Sequence, residues 1–287
     1  MINLEELIFQ IAKIPSFTTF EDRLWMCIEQ CTAKLPVTVK RISENNCVIS
    51  WSGNRPDLRP VALTAHLDKI NHFEVAEIGD LAIAQEDDEL VGQLDDAVGV
   101  AICLYVLVKS IQTPDCPPIL VLLSEMEEKG SYRHKKLLKN GGGGIELSPG
   151  SYRIADHLID NTIIPDAVIT VDTSAVFRKT GGVAVYTDFW EQSSTEPSSQ
   201  TLRAKTSELF GRILKIYPEV LHSNGINDYI TYGMKFNEEL GSSVPSIAIE
   251  PAIWPIHAIG ERMKVSDIHR VSSIILKLLE TWRPLEG

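Results

Sequence analysis

Four short apolar runs constrain the fold of this chain more than any other feature. Residues 59–65, 118–124, 167–171 and 244–249 each have the length of one buried strand. The first ends at His66, the second delivers Glu127 and Glu128, and the third delivers Asp172. The fourth leads toward His257. In open α/β sheets, ligand-binding groups gather beyond the carboxyl ends of strands. This pattern therefore predicts an α/β fold in which several strand ends converge on one pocket.

Helical periodicity fills the intervals. Leu4, Leu7, Ile8, Ile11 and Ala12 share a face in a predicted helix over 4–14, which Pro15 and Ser16 end. A second helix is expected over 20–35, with Glu21 and Asp22 favouring the positive end of its dipole. Residues 97–111 are apolar nearly all round, so that helix should be deeply buried, with Gly99 allowing close backbone approach. The last helix is expected over 265–282, starting near Ser266 and Asp267. Residues 37–42 and 47–51 read as a hairpin, and 73–91 as a second one with polar turns at 79–80 and 86–88. Residues 140–144 and 192–200 read as loops.

Composition excludes more than it identifies. With 287 residues, 44% of them apolar, the chain can bury about 75% of its unfolded surface in one large core. A single domain over 1–287 is the expectation. A net charge of −12 argues against a nucleic-acid partner, since no basic patch would meet the phosphates. The longest apolar stretch, within 97–108, is too short to span a bilayer, so no membrane is expected. The first residues carry no secretory signal pattern. The five cysteines are odd in number and scattered, which suits free thiols in a reducing cytoplasm. Cys27 and Cys31 lie one helical turn apart, but no second pair completes a metal site.

The chemistry lies in five motifs. His66 and Asp68, two apart in an extended segment, point to the same side, so one can ligate while the other supports it. Asp95 and Asp96 open the buried helix, where one could simply be its N-cap. Glu127 and Glu128 are adjacent carboxylates that need a cation or unlike surroundings near a buried strand end. Alone they could be a solvated acidic turn. A strand-end Asp172 or a loop His257 is, in isolation, more often a structural hydrogen bonder. Together, two histidines and three or four carboxylates are the usual donor set for a pair of divalent metals, and the combination reads as a two-metal hydrolase.

These motifs resemble those of the co-catalytic di-zinc exopeptidase superfamily, which includes aminopeptidases and the aminoacylase and glutamate-carboxypeptidase relatives. The resemblance covers roughly 59–265 and rests on residues 64–68, 93–99, 124–130, 171–172 and 256–261. It implies a three-layer α/β/α sandwich with a central mixed β-sheet, and two divalent ions, zinc by preference. By the resemblance, Asp95 would bridge both metals, with a cis peptide bond to Asp96. His66 and Asp172 would complete one metal site, and Glu128 and His257 the other. Asp68 would hydrogen-bond the His66 ring, and Glu127 would be the general base acting on a two-metal-activated water. Ala97 stands where several relatives carry a basic or amide residue. Only 28 residues lie between His66 and Asp95, too few for the large domain some relatives insert there. Glu128 to Asp172 and Asp172 to His257 are likewise too close for an inserted dimerisation domain of about 100 residues.

The function implied by the resemblance is that of a lidless exopeptidase acting on a peptide or acyl-amino-acid substrate, with an aminopeptidase slightly favoured. A carboxypeptidase or aminoacylase-type amidohydrolase is the alternative, as is a non-catalytic metal-binding protein of the same fold. Specificity would come from loops within 130–161 and 181–199. Asp228 is a candidate contact for a substrate amine or an N-cap. Arg262 is a candidate for a substrate carboxylate, with a surface salt bridge as the plainer expectation. The sequence leaves the oligomeric state open.

Overall fold

The computed structural model describes residues 3–73, 75, 77–128, 149–192 and 199–286. In chain order the strands are β1 (Thr38–Ile42), β2 (Asn46–Trp51), β3 (Val61–His66), β4 (Ala84–Glu86), β5 (Glu89–Gly92), β6 (Ile119–Ser124), β7 (Ala167–Thr170), β8 (Val183–Tyr186), β9 (Leu221–Ser223), β10 (Ser246–Pro251) and β11 (Glu261–Lys264). The α-helices are α1 (Leu4–Ala12), α2 (Trp25–Thr32), α3 (Ala97–Ile111), α4 (Pro149–Asp160), α5 (Phe189–Gln192), α6 (Gln200–Ile216), α7 (Asp228–Met234) and α8 (Val265–Glu280). Eight strands form one mixed sheet in the order β1-β2-β6-β3-β7-β10-β8-β9, and β11-β5-β4 form a small second sheet. The four apolar runs supply β3, β6, β7 and β10, whose neighbouring pairs in the middle of the sheet are all parallel.

Alternation along the strands separates two helical layers. Val61, Leu63 and Ala65 of β3 belong to the larger core with α1, α3 and α8, whereas Ala62 belongs to the smaller one with α4 and Tyr232 of α7. Thr64 shares that second face, where its hydroxyl donates to Thr170 Oγ1 at 2.9 Å. The result is an α/β/α sandwich. The 28-residue interval before Asp95 is occupied by the small β4–β5 hairpin, and β5 pairs with β11, setting Gly92 opposite Glu261.

Three expectations are corrected. The second helix begins as a 3-10 turn over Glu21–Leu24 and becomes α-helical only from Trp25. Glu21 is fully buried, and its carboxylate accepts the amides of Thr19 and Met126, contacts a regular first turn on the surface would not make. The hairpin expected over 73–91 is confined to β4 and β5, with Asp87 at φ 54° in its tight turn. Ahead of it, Leu81 packs into a small apolar cluster with Phe17 and Phe20 instead of extending a strand. The helix after residue 227 is capped by Asn227, whose side chain accepts the Tyr229 amide, and not by Asp228. The loop expected at 140–144, and most of that at 192–200, lie outside the described residues.

Candidate metal centre

Strand geometry brings the five motifs together. His66 is the last residue of β3, Asp95 and Asp96 precede α3, and Glu127 and Glu128 follow β6. Asp172 follows β7, and His257 lies between β10 and β11. His66, Asp95, Glu127, Glu128, Asp172 and His257 all line one cavity of about 390 Å³.

Asp95 stands at the centre. Its Oδ1 lies 3.2 Å from His66 Nε2, and its Oδ2 lies 3.4 Å from His257 Nε2. His257 Nε2 is also 3.1 Å from Glu128 Oε1, and His66 Nε2 is 3.8 Å from Asp172 Oδ1. One carboxylate thus spans two groups of donors, each holding a histidine and a second carboxylate. The peptide bond between Asp95 and Asp96 is cis. Asp96 turns the other way: its Oδ1 accepts the Gly99 amide at 2.9 Å and its Oδ2 the His66 amide at 3.2 Å. It caps α3 and fastens it to the end of β3.

Asp68 is completely buried and meets the His66 ring through two of its oxygens. His66 Nδ1 is 3.0 Å from the Asp68 main-chain carbonyl and 3.4 Å from its carboxylate. The carboxylate accepts the backbone amides of Glu127 at 2.9 Å and Glu128 at 3.1 Å, and the Thr18 hydroxyl at 2.8 Å. Asp68 therefore orients the ring through its backbone and the Glu127–Glu128 turn through its side chain. Met126 turns that corner with φ 60°, in the left-handed region.

The electrostatics suit a cation. Burial, reinforced by Glu128, Asp172 and Asp228, holds the Glu127 carboxyl well above its ordinary range. Burial likewise raises Asp172, and pushes Glu128 up to about 7. Hydrogen bonds to Asp95 and Glu128 push His257 up to about 11. Burial opposes ionisation of Asp95 too, but His257 and His66 outweigh it and its carboxyl falls below the ordinary range. Carboxylates here outnumber the cationic side chains, an imbalance that divalent ions would relieve. His66, Asp95 and Glu128 offer donor atoms within 4.8 Å of one another, as do His66, Asp96 and Asp172. Both Asp96 oxygens are engaged with backbone amides, which leaves Asp172 the freer donor of that second group.

Four further residues shape the site. Glu261, only 3% exposed, accepts the amides of Leu94 at 2.7 Å and Asp95 at 3.2 Å, fixing the backbone that carries the central carboxylate. Its proximity to His257 in sequence was the available signal. Glu21, 105 residues before Met126, gave none, because a first-turn glutamate looks like an ordinary dipole partner. Glu250 and Tyr186 also line the cavity, and a lone acid inside an apolar strand was legible as unusual. Two other candidates do not line the cavity. Asp228 is buried close enough to act on Glu127, with Ser124 Oγ donating to it at 2.5 Å, and Arg262 pairs with Glu86 and Glu89 on the surface.

The same fold occurs in solved peptidases. An aminopeptidase from the archaeon Desulfurococcus kamchatkensis superposes with a TM-score of 0.69 at 13% identity, over 99% of this chain and 98% of that one. The TET1 peptidase of Pyrococcus horikoshii, described as assembling into a tetrahedron or a large octahedral shell, gives 0.67 at 12% identity over 98% and 100%. The aminopeptidase PepT of Bacillus cereus gives 0.64 at 13% identity over 97% and 98%. No protein-family profile and no curated protein matches the sequence.

Proposed function

We propose that the chain, over 1–287, is a metal-dependent exopeptidase that cleaves the terminal amide bond of short peptides, as an aminopeptidase in preference to a carboxypeptidase or aminoacylase. The observation that carries this reading is the Asp95 carboxylate spanning His66 and His257, with Glu127 and Glu128 on the same cavity. The shared fold of peptidases supports it. His66, Asp95 and Asp172 would hold one divalent cation, and Asp95, Glu128 and His257 a second. Nitrogen and carboxylate donors of this kind suit zinc. Such a pair supplies Lewis acidity toward an amide carbonyl and makes water a stronger acid.

The side chains supply the rest. Glu127 lines the cavity and is half-buried, whereas Glu128 is buried. Glu127 takes a proton as water adds to the scissile carbonyl carbon, and returns it to the amine nitrogen as the C–N bond breaks. Its raised proton affinity favours the first transfer, and the basicity of the departing amine drives the second. Asp68 holds the Glu127 and Glu128 amides, and Glu261 holds that of Asp95, so acid, base and ligands keep their spacing through the reaction. Among the described residues no helix is long and apolar enough to cross a membrane, and all five thiols are unpaired, which suits a cytoplasmic enzyme.

The test is metal content per chain, followed by turnover of a panel of amino-acid amides and dipeptides. The expected result is about two ions and hydrolysis of at least one substrate with a free N-terminus. Protein that takes up no Zn²⁺, Mn²⁺ or Co²⁺ would overturn the metal reading. Full metal content without turnover would leave a binding protein of this fold.

A further inference from the structure

Glu250 has no part in the donor cluster, yet it stands beside it. Ala248 of β10 pairs with Thr170 of β7, and two residues further along each strand come Glu250 and Asp172, on the same face of the sheet. On the opposite side Ala248 pairs with Tyr186 of β8 and Glu250 with Ala184, so Tyr186 lies on the same face as Glu250 and diagonal to it. Asp172, Glu250 and Tyr186 line the cavity, together with Asn227.

The Glu250 carboxyl is fully buried and only half satisfied. Its Oε1 accepts from Asn227 Nδ2 at 2.5 Å, while Oε2 has no hydrogen-bond partner among the described residues. The Tyr186 hydroxyl beside it shares a hydrogen bond with Ser174 Oγ at 2.6 Å and also interacts with the Glu250 carboxyl. A buried carboxyl oxygen without a donor is costly, and a buried carboxylate without a cation more so. No lysine or arginine lines the cavity among the described residues, and the two histidines there face the carboxylates of the donor cluster. A ligand that brings both a donor and a positive charge would meet that oxygen.

We propose that Glu250, with Asn227 and Tyr186 beside it, seats a primary ammonium group of the substrate, namely the free N-terminal α-ammonium of a peptide. The distance favours this source over a lysine side chain. Adjacent strands put Glu250 about 5 Å from Asp172. An α-nitrogen lies two bonds, about 2.5 Å, from the scissile carbonyl carbon, whereas a lysine ammonium lies six bonds away. The proposal rests on the peptidase reading only in naming the peptide as the owner of the ammonium. It adds a reason for amino-terminal attack, since an acylated or internal residue would leave Glu250 without a partner.

Binding can be read without turnover. Isoamylamine and isoamyl alcohol share a shape and differ in charge. Calorimetric titration of the metal-loaded wild type should show the amine binding at least about tenfold more tightly. Glu250→Gln should erase that preference while keeping wild-type metal content. A wild type that binds amine and alcohol equally would overturn the proposal, whether or not the variant folds. So would a folded Glu250→Gln protein that keeps the preference. Turnover of leucine p-nitroanilide, its Nα-acetyl form and Nα-acetyl-lysine p-nitroanilide then separates the two ammonium sources. Hydrolysis of the first alone, with KM raised more than kcat is lowered in Glu250→Gln, is expected. Comparable hydrolysis of the acetyl-lysine compound would reassign the ammonium to a side chain and overturn the α-ammonium assignment. Absence of all hydrolysis would defeat the peptidase reading but leave the amine–alcohol comparison decisive for Glu250.

Discussion

The chain contains two pairs of adjacent acids in its centre, and the fold uses them differently. In Asp95–Asp96 one carboxylate faces both histidines, and the other turns back to the amides of His66 and Gly99. In Glu127–Glu128 both side chains line the cavity, and it is their backbone amides that are tied down, by Asp68. Under the proposed function, the first pair would divide into donor and anchor, and the second into donor and proton carrier. Identical neighbours in sequence therefore give no guide to role; what each oxygen accepts does.

The sharpest way to break this comparison is to remove one acid from each pair. Asp95→Ala should reduce bound metal from about two ions to nearly none, measured by elemental analysis, and abolish turnover. Glu127→Gln should keep full metal content and lower kcat by about 10²-fold or more. Equal metal loss in both variants would erase the proposed division of labour between donor and base. A smaller effect is expected from the anchor. Asp96→Ala should weaken metal affinity by about 10–100-fold and destabilise the fold by about 1 kcal/mol through loss of the α3 cap, read by competition with a chelator and by denaturant unfolding. Unchanged metal affinity there would show that the ends of β3 and α3 keep their places without that carboxylate.

The smallest effect concerns the support beneath Met126. Burial, with help from Asp68, pushes the Glu21 carboxyl up to about 8. A carboxyl whose folded pKa is raised binds its proton better when folded, so its contribution is fully present below the unfolded value and is lost as pH rises through the folded one. Glu21→Gln keeps an oxygen to accept the Met126 amide and cannot ionise. Wild type should therefore lose melting temperature relative to this variant between about pH 5 and about pH 9. A difference that is flat across that window would mean that Glu21 is ionised throughout.

The parts of the molecule that were legible in the sequence share one property: their side chains act where the local pattern puts them. The four buried strands and the face of α1 follow from apolar periodicity, and the donors follow from their position after those strands. The resemblance added the roles and the cis bond between Asp95 and Asp96, which spacing alone does not contain. What escaped was long-range accommodation of polar groups. Glu21 leaves its helix to serve residues 105 positions away, and the Asp68 carboxylate serves amides 59 and 60 positions away. Nothing in either local window records the partner. Glu250 is intermediate, because an acid in a buried strand announces itself but not the ligand it awaits.

The pairing of β5 with β11 has one more consequence. Gly92 faces Glu261 in that ladder, and the chain leaves β5 toward Asp95 while it enters β11 from His257. Both arms of the pair that meets at Asp95 and His257 thus hang from one two-strand clasp, closed by the Glu261 carboxylate on the Leu94 and Asp95 amides. Because side chains alternate with every residue, a slip of one place would swing Glu261 to the opposite face. Insertions can lengthen the β4–β5 turn at Asp87 without touching the site, but a single residue added between Gly92 and Asp95, or between His257 and Glu261, would pull the two ligands out of step. The clasp works as a length gauge, and in any graft or redesign of this scaffold those two short intervals are the ones to leave uncut.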